Sequence, residues 1–404
     1  MKLSEKMSRL GTETAFQVLA KAQALEAKGK NIIHLEIGEP DFTTPQNIRT
    51  AAAEALDRGY THYCNSQGML PLREQIAKEL GRTRGISIDP GRVVVTPGAK
   101  PIMFYAIMAL LERGDEAIYP NPLYPIYESM IKFTGAKAVP IRLREELGFR
   151  FDMNELKSKI TPRTRLIVLN SPHNPTGGML EEADIRGIAD LAREHDITVF
   201  SDEVYENIVY EGKHFSIASL PGMLDKTILL SGFSKTYAMT GWRLGYAAMP
   251  KELVEPVVRL ISNSVSCTAP FTQVAGIEAL TGPQDSIPRM VAEFKRRRDL
   301  IVDGLNSIPG IHCFRPKGAF YVFPNIQKLG VSCNEFADVL LNEAGVATLP
   351  GTHFGKYGEG YIRLSYANSQ ENIRKALDRI ADAAKKFALS GYSSEAVHGS
   401  LLQP

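Results

Sequence analysis

Four short polar segments hold the side chains whose types and spacing could do chemistry. Ser231-Gly232-Phe233-Ser234-Lys235 sets an amine among hydroxyls, and Arg243 follows eight residues later. Ser201-Asp202-Glu203-Val204-Tyr205 supplies a carboxylate and a phenol. Asn170-Ser171-Pro172-His173-Asn174 continues into Pro-Thr-Gly, and Gly98-Ala99-Lys100 forms a glycine turn. A lysine so placed can form a Schiff base with an aldehyde. A carboxylate can pair with a pyridinium nitrogen and make the ring an electron sink. A glycine turn entering a helix presents free N–H groups and a positive dipole end to a phosphate. An arginine adds a fixed positive fork for the same anion. Together these parts suit a phosphorylated pyridine aldehyde.

Such groups must be brought together by the elements before them. From about residue 90 to 250, short β-rich runs alternate with helical patterns. Val93–Thr96, Ala117–Tyr119, Leu166–Asn170, Thr198–Ser201, Ile228–Leu230 and Leu244–Ala247 read as strands. Lys100–Glu112, Tyr127–Phe133 and Glu181–Glu194 read as helices. The strands are apolar runs and not alternations, as expected for strands buried on both faces. The alternation predicts an α/β domain with a largely parallel sheet, whose ligands bind beyond the carboxyl ends of the strands. All four polar segments then gather on one rim. After about residue 285, a helix at Arg289–Leu305, strands at Phe320–Phe323 and Tyr361–Ser365, and a helix at Glu335–Asn342 predict a smaller α+β domain. The N-terminal amphipathic helix is expected to pack with it.

The bulk numbers exclude several classes. The chain has 404 residues, 44% of them hydrophobic, and a formal net charge of +2, so neither nucleic acid nor an anionic membrane is an expected partner. The densest basic run, Lys295–Arg298, reads as a solvated helix face. Cysteines 64, 267, 313 and 333 show no metal-ligand spacing, so no metal is expected and the thiols should be reduced. No apolar stretch reaches the roughly 18–20 residues of a membrane span, and the N-terminus lacks a signal-peptide core. A cytoplasmic location is expected.

The segment SGFSKTYAMTGWRLGY at 231–246 resembles the cofactor-lysine signature of class I/II aminotransferases, the fold-type-I pyridoxal-phosphate enzymes. NSPHNPTG, SDEVY, GEPDF at 38–42, THYCNSQG at 61–68, TPGAKP at 96–101 and YIRLSYANS at 361–369 extend the resemblance over residues from about 10 to 388, nearest to the bacterial aspartate aminotransferase subgroup. It implies a mostly parallel seven-stranded sheet flanked by helices in a large domain, 46–290. A small domain is built from 1–45 and 291–388, and 389–404 form a mobile tail. It implies pyridoxal 5′-phosphate as cofactor, held by Lys235, which also shuttles the proton between the substrate Cα and the cofactor's C4′. Asp202 pairs with the pyridine nitrogen. Tyr205 and Asn174 bond the phenolic oxygen. The backbone of Gly98, Ala99 and Lys100, with Arg243, takes the phosphate. Relatives carry a hydroxyl where this chain has Gly232, so Ser231 or Ser234 stands in for it. Tyr124 stacks on the ring, with Tyr127 a nearby rival.

For the substrate, the resemblance implies that Arg363 clamps the α-carboxylate, with Gly38, Asn174 and Tyr124 beside it. Lys100 sits where one aspartate aminotransferase subgroup binds the distal carboxylate of aspartate or glutamate, so an acidic donor with 2-oxoglutarate or oxaloacetate is the first expectation. Alanine, aromatic or other neutral donors, or a same-fold C–S lyase or decarboxylase, remain alternatives. Tyr63 matches a tyrosine that reaches the neighbour's phosphate, implying a homodimer with shared active sites. His173 reads as structural.

Overall fold

The computed structural model describes residues 3–394, with side chains described as far as 387. In chain order the strands are β1 (Ile33–His34), β2 (Val93–Thr96), β3 (Glu116–Asn121), β4 (Lys137–Arg142), β5 (Thr164–Asn170), β6 (Thr198–Asp202), β7 (Thr227–Gly232), β8 (Gly245–Ala248), β9 (Tyr321–Val322), β10 (Val346–Ala347), β11 (Leu349–Pro350) and β12 (Ile362–Ser365). Strands β2 to β8 form one seven-stranded sheet in the order β2-β8-β7-β6-β5-β3-β4. All neighbours are parallel except β8, which runs antiparallel to both β2 and β7.

Alternation along the central strands explains the two helical layers. Leu166 and Val168 of β5 pack with Ile102, Tyr127 and Val257 on one face. Ile167 and Leu169 pack with Ile188 and Leu191 on the other. Both faces are buried, so the strands read as continuous apolar runs. The expected strand β2 has the observed bounds, and the others lie within one or two residues of theirs. Strand β4 was not foreseen. It is one of the two edge strands, only partly buried, and carries Pro140, which an edge tolerates because its ladder is free on one side.

The remaining strands belong to the smaller part of the chain. β11, β12 and β9 make an antiparallel sheet, and β1 pairs in parallel with β10. The helix Ser286–Asn306 closes over them through Phe294, which stacks on Phe320. The N-terminal helix Ala15–Glu26 buries Ala22 against Ile32, Leu341 and Ala347, as expected of its packing. The helix expected at Glu335–Asn342 runs Cys333–Val339 and passes into a π-helical turn, Leu340–Ala344.

The basic run at 295–298 is a solvated face only in part: Lys295 and Arg296 are exposed, as expected, and the next two residues are not. Arg297 and Arg298 are buried, paired with Asp41 and Glu293 and with Glu211 and Asp299. Two of these partners, Asp41 and Glu211, lie in loops distant in sequence, which the local pattern does not reveal. The closing helix runs Gln370–Ser394, past residue 389 where the tail was expected to start; residues 395–404 lie outside the described residues. Among the described residues no helix is long and apolar enough to cross a membrane, and all four cysteines are free thiols.

Candidate active site

The sheet order decides what meets at its rim. β2, β5, β6 and β7 end on the same side, and antiparallel β8 begins there, with Gly245 opposite both Thr96 and Gly232. The loop from Lys235 to Arg243 therefore leaves the rim and returns to it. A cavity of about 450 Å³ opens there, in the size range of small-molecule sites. Lys235, Asp202, Tyr205, Asn174, Arg243 and Arg363 all line it.

Lys235 sits on a one-turn helix, Phe233–Thr236, directly after β7. Its half-buried amine donates to the carbonyl of Gly38 at 2.6 Å. Burial pushes its ammonium down to about 8, with Glu39 working against the shift and Arg363 with it. About a tenth of the amine is thus a neutral nucleophile at pH 7, far more than for an ordinary lysine. Gly38 has no room for a side chain, because a Cβ there would collide with the hydroxyl of Tyr321.

Asp202 ends β6 and is buried. Tyr127 donates to its Oδ2 at 2.7 Å and the Val204 N–H reaches Oδ1 at 3.3 Å. Burial still pushes its carboxyl up to about 6. Among the described residues it makes no ion pair, so its charge is open to a cationic partner from within the cavity. Tyr127, the rival for the ring-stacking role, is fully buried and serves Asp202 instead. Tyr205 shares a 2.8 Å hydrogen bond with Tyr321. His173 is buried with Nδ1 at 2.8 Å from the Thr176 hydroxyl, and burial lowers its pKa to about 3, which makes it a neutral, structural group.

At the β2 end, Thr96 donates to the Gly98 carbonyl and fixes the turn into the helix Lys100–Leu110. Gly98 has φ 83°, and a Cβ on it would overlap the Arg243 guanidinium. Glycine is thus what lets Arg243 stand beside the helix N-terminus. Arg243 itself holds a left-handed backbone, φ 54°, and anchors to the Thr240 carbonyl at 2.7 Å. Strained residues of this kind concentrate at functional sites. Ser234 lines the cavity. Ser231 does not: its hydroxyl turns away and donates to Glu206 at 2.9 Å, which corrects its place among cofactor contacts. Side chains alternate along a strand, and Ser231 is on the wrong face of β7.

Arg363 on β12 is buried, lies over the Tyr321 and Phe354 rings, and donates to Asn174 Oδ1 at 3.3 Å and to the Glu36 carbonyl. Its Nε has no partner, and it makes no ion pair with a described carboxylate. A buried, unpaired guanidinium beside a cavity is a site for an incoming carboxylate.

Lys100 and Tyr124 also line the cavity, but their polar atoms are already engaged. Both donate to Glu13 Oε2, at 2.6 and 2.8 Å. Glu13 and Tyr321 were absent from the sequence-based site, and Tyr127 stood there only as a rival to Tyr124. Glu13 is separated from Lys100 by 87 residues and no local pattern points to it. Tyr63 is 88% exposed and does not line the cavity of its own chain.

These residues fit pyridoxal phosphate. The test is the unpaired ends: an aspartate without a cation, an arginine and a helix N-terminus without an anion, and a deprotonatable lysine among them.

Residues 30–380 match the family described as aminotransferase class I and II. The chain is similar to an aromatic-amino-acid aminotransferase of Thermococcus litoralis, at 40% identity over 96% of this chain and 100% of that protein. It is similar to an aspartate aminotransferase of Pyrococcus abyssi, at 43% identity over 89% of this chain and 94% of the relative. Among solved structures, the aspartate aminotransferase of Thermus thermophilus with maleate superposes with a TM-score of 0.90, at 39% identity over 95% of this chain and 100% of that one.

Proposed function

Because the chain belongs to the class I and II aminotransferases, a family of pyridoxal-phosphate transaminases, we propose that its amino donor is an acidic amino acid, aspartate or glutamate, with 2-oxoglutarate or oxaloacetate as acceptor. The observation that carries this is Lys100, a cation in the same cavity as the unpaired Arg363. Two cations suit the two carboxylates of one substrate. Relatives named as aspartate aminotransferases support it.

When bound, pyridoxal phosphate supplies an aldehyde and a ring able to take up the electron pair left at the substrate Cα. Lys235 would hold its aldehyde carbon, and Asp202 would keep the ring nitrogen protonated. Tyr205 and Asn174 would bond its phenolic oxygen. The N–H groups at Gly98, Ala99 and Lys100, with Arg243 and Ser234, would hold its phosphate. Arg363 grips the substrate α-carboxylate and so fixes the direction of the Cα–H bond. The neutral amine of Lys235 then takes the Cα proton. Gly38 offers its carbonyl to position that amine, and Tyr124 covers the ring.

The same reading makes the protein a homodimer in which Tyr63 of each chain completes the other's phosphate site; its exposure here supports that. It also places the protein in amino-acid biosynthesis in a reducing cytoplasm, which the free thiols support.

A second reading, an aromatic donor, is favoured by one observation. Phe16, Ile37 and Met103 line the cavity, and Lys100 is already neutralised by Glu13. A panel of amino donors, read by loss of the bound-cofactor absorbance without acceptor, tests both. Conversion by aspartate and glutamate well ahead of neutral donors is expected; inertness toward both would overturn the acidic reading.

A further inference from the structure

The unforeseen occupant of the cavity is Glu13. Its Oε2 accepts from Lys100 Nζ at 2.6 Å and from the Tyr124 hydroxyl at 2.8 Å. All three side chains line the cavity that Arg363 also lines. The segment bearing Glu13 is fastened on both sides. The Gly11 N–H donates to Ser129 at 2.9 Å, and the Thr14 hydroxyl meets His353 Nδ1 at 2.6 Å. Glu13 is thereby held where its carboxylate faces Lys100, yet 27% of its side chain and 43% of that of Lys100 are exposed. The pair can open into solvent without moving the backbone.

We propose that Glu13 is a built-in stand-in for the side-chain carboxylate of an acidic substrate, displaced when such a substrate binds and left in place by a neutral one. The proposal rests on the reading of Lys100 as the acidic-side-chain subsite. A substrate anchored at Arg363 by its α-carboxylate brings a second carboxylate toward Lys100. Two carboxylates at one ammonium repel each other, so Glu13 must rotate out. A neutral side chain makes no such demand. It meets a cavity whose local charge is cancelled by the Glu13–Lys100 pair and whose walls include Phe16, Ile37 and Met103. One swinging carboxylate then lets a single pocket accept both classes, and its cost falls on the acidic one alone. Because the pair is partly exposed, that cost is modest, about 5-fold or less in affinity.

The test uses holoenzyme and two unreactive ligands, succinate for the dicarboxylate and 3-phenylpropionate for a neutral side chain. Binding is followed by calorimetry in wild type, Glu13→Gln, Glu13→Ala and Lys100→Ala. Freeing Lys100 by either Glu13 variant should tighten succinate about 2- to 5-fold and shift 3-phenylpropionate less than about 1.5-fold. Weaker succinate binding in both variants, or equal shifts for both ligands, would overturn the proposal. Lys100→Ala separates this failure from that of its premise. If it leaves succinate binding unchanged, the acidic subsite itself is wrong and the role of Glu13 falls with it. If it weakens succinate while the Glu13 variants do not tighten it, only the role of Glu13 is wrong.

Discussion

The buried Tyr127 hydroxyl donates to Asp202 Oδ2 at 2.7 Å and is the only side-chain donor to it among the described residues. Loss of a hydrogen bond to a buried charged group costs roughly 1.5–3 kcal/mol. Tyr127→Phe should therefore loosen pyridoxal phosphate by about 10-fold or more while the protein folds normally. Titration of cofactor-free protein, followed by absorbance, measures it. Unchanged affinity would make Tyr127 a packing residue.

Asp202 itself sets a pH dependence. Its carboxyl titrates near 6 in the fold against an ordinary 3.8. Between these values the folded, cofactor-free chain holds a proton that the unfolded chain has released. The stability from this group is full below about pH 4 and is lost as pH rises through 6. Asp202→Asn removes that loss. The cofactor-free variant should be more stable than wild type at pH 7.5 by on the order of 3 kcal/mol, with the gap closing near pH 4. Thermal unfolding at both pH values checks this. Equal stability at pH 7.5 would deny the raised pKa.

Lys235 titrates near 8 because it is desolvated. The rate at which cofactor-free protein captures added pyridoxal phosphate should rise with pH about a midpoint near 8. A midpoint near the ordinary lysine value of 10.5 would contradict the burial argument. Lys235→Ala should retain some cofactor without a covalent link and lose transamination by about 10²–10⁴-fold, the usual worth of a positioned base.

Arg363→Lys keeps the charge but loses the planar fork. Its kcat/KM should fall by about 10- to 10²-fold for every amino donor, acidic and neutral alike, with cofactor affinity unchanged. A loss confined to acidic donors would mean that Arg363 reads the side chain instead.

Mixing Tyr63→Ala with Lys235→Ala tests the shared site. A mixed dimer holds one site with both residues intact, so activity should appear on mixing two impaired proteins and reach up to about a quarter of wild type if subunits exchange freely, as expected of an isologous pair. No recovery after confirmed subunit exchange would place Tyr63 outside the neighbour's site.

The rim residues were legible because each closes a strand whose apolar run is plain. Lys235 after β7, Asp202 at the end of β6 and Gly98 after β2 needed only the rule that ligands lie beyond strand ends. Ser231 misled because a hydroxyl-rich stretch does not say which face of the strand each hydroxyl takes. Glu13 and Tyr321 were invisible for another reason: they reach the cavity through tertiary packing, across 87 residues in one case and 116 between Tyr205 and Tyr321 in the other. The edge strand β4 was missed because half-exposed residues carry no continuous apolar signal.

The pairing of β1 with β10, and the bond from the Ser365 N–H to the Leu35 carbonyl at 2.7 Å, tie the two ends of the chain together around Arg363. The seven-stranded sheet is complete by Ala248, whereas the carboxylate clamp is carried by β12, outside that sheet. The grip on the amino acid is thus conditional on closure between the beginning and the later part of the chain: a slip in that short pairing would misplace Arg363 without touching the seven-stranded sheet.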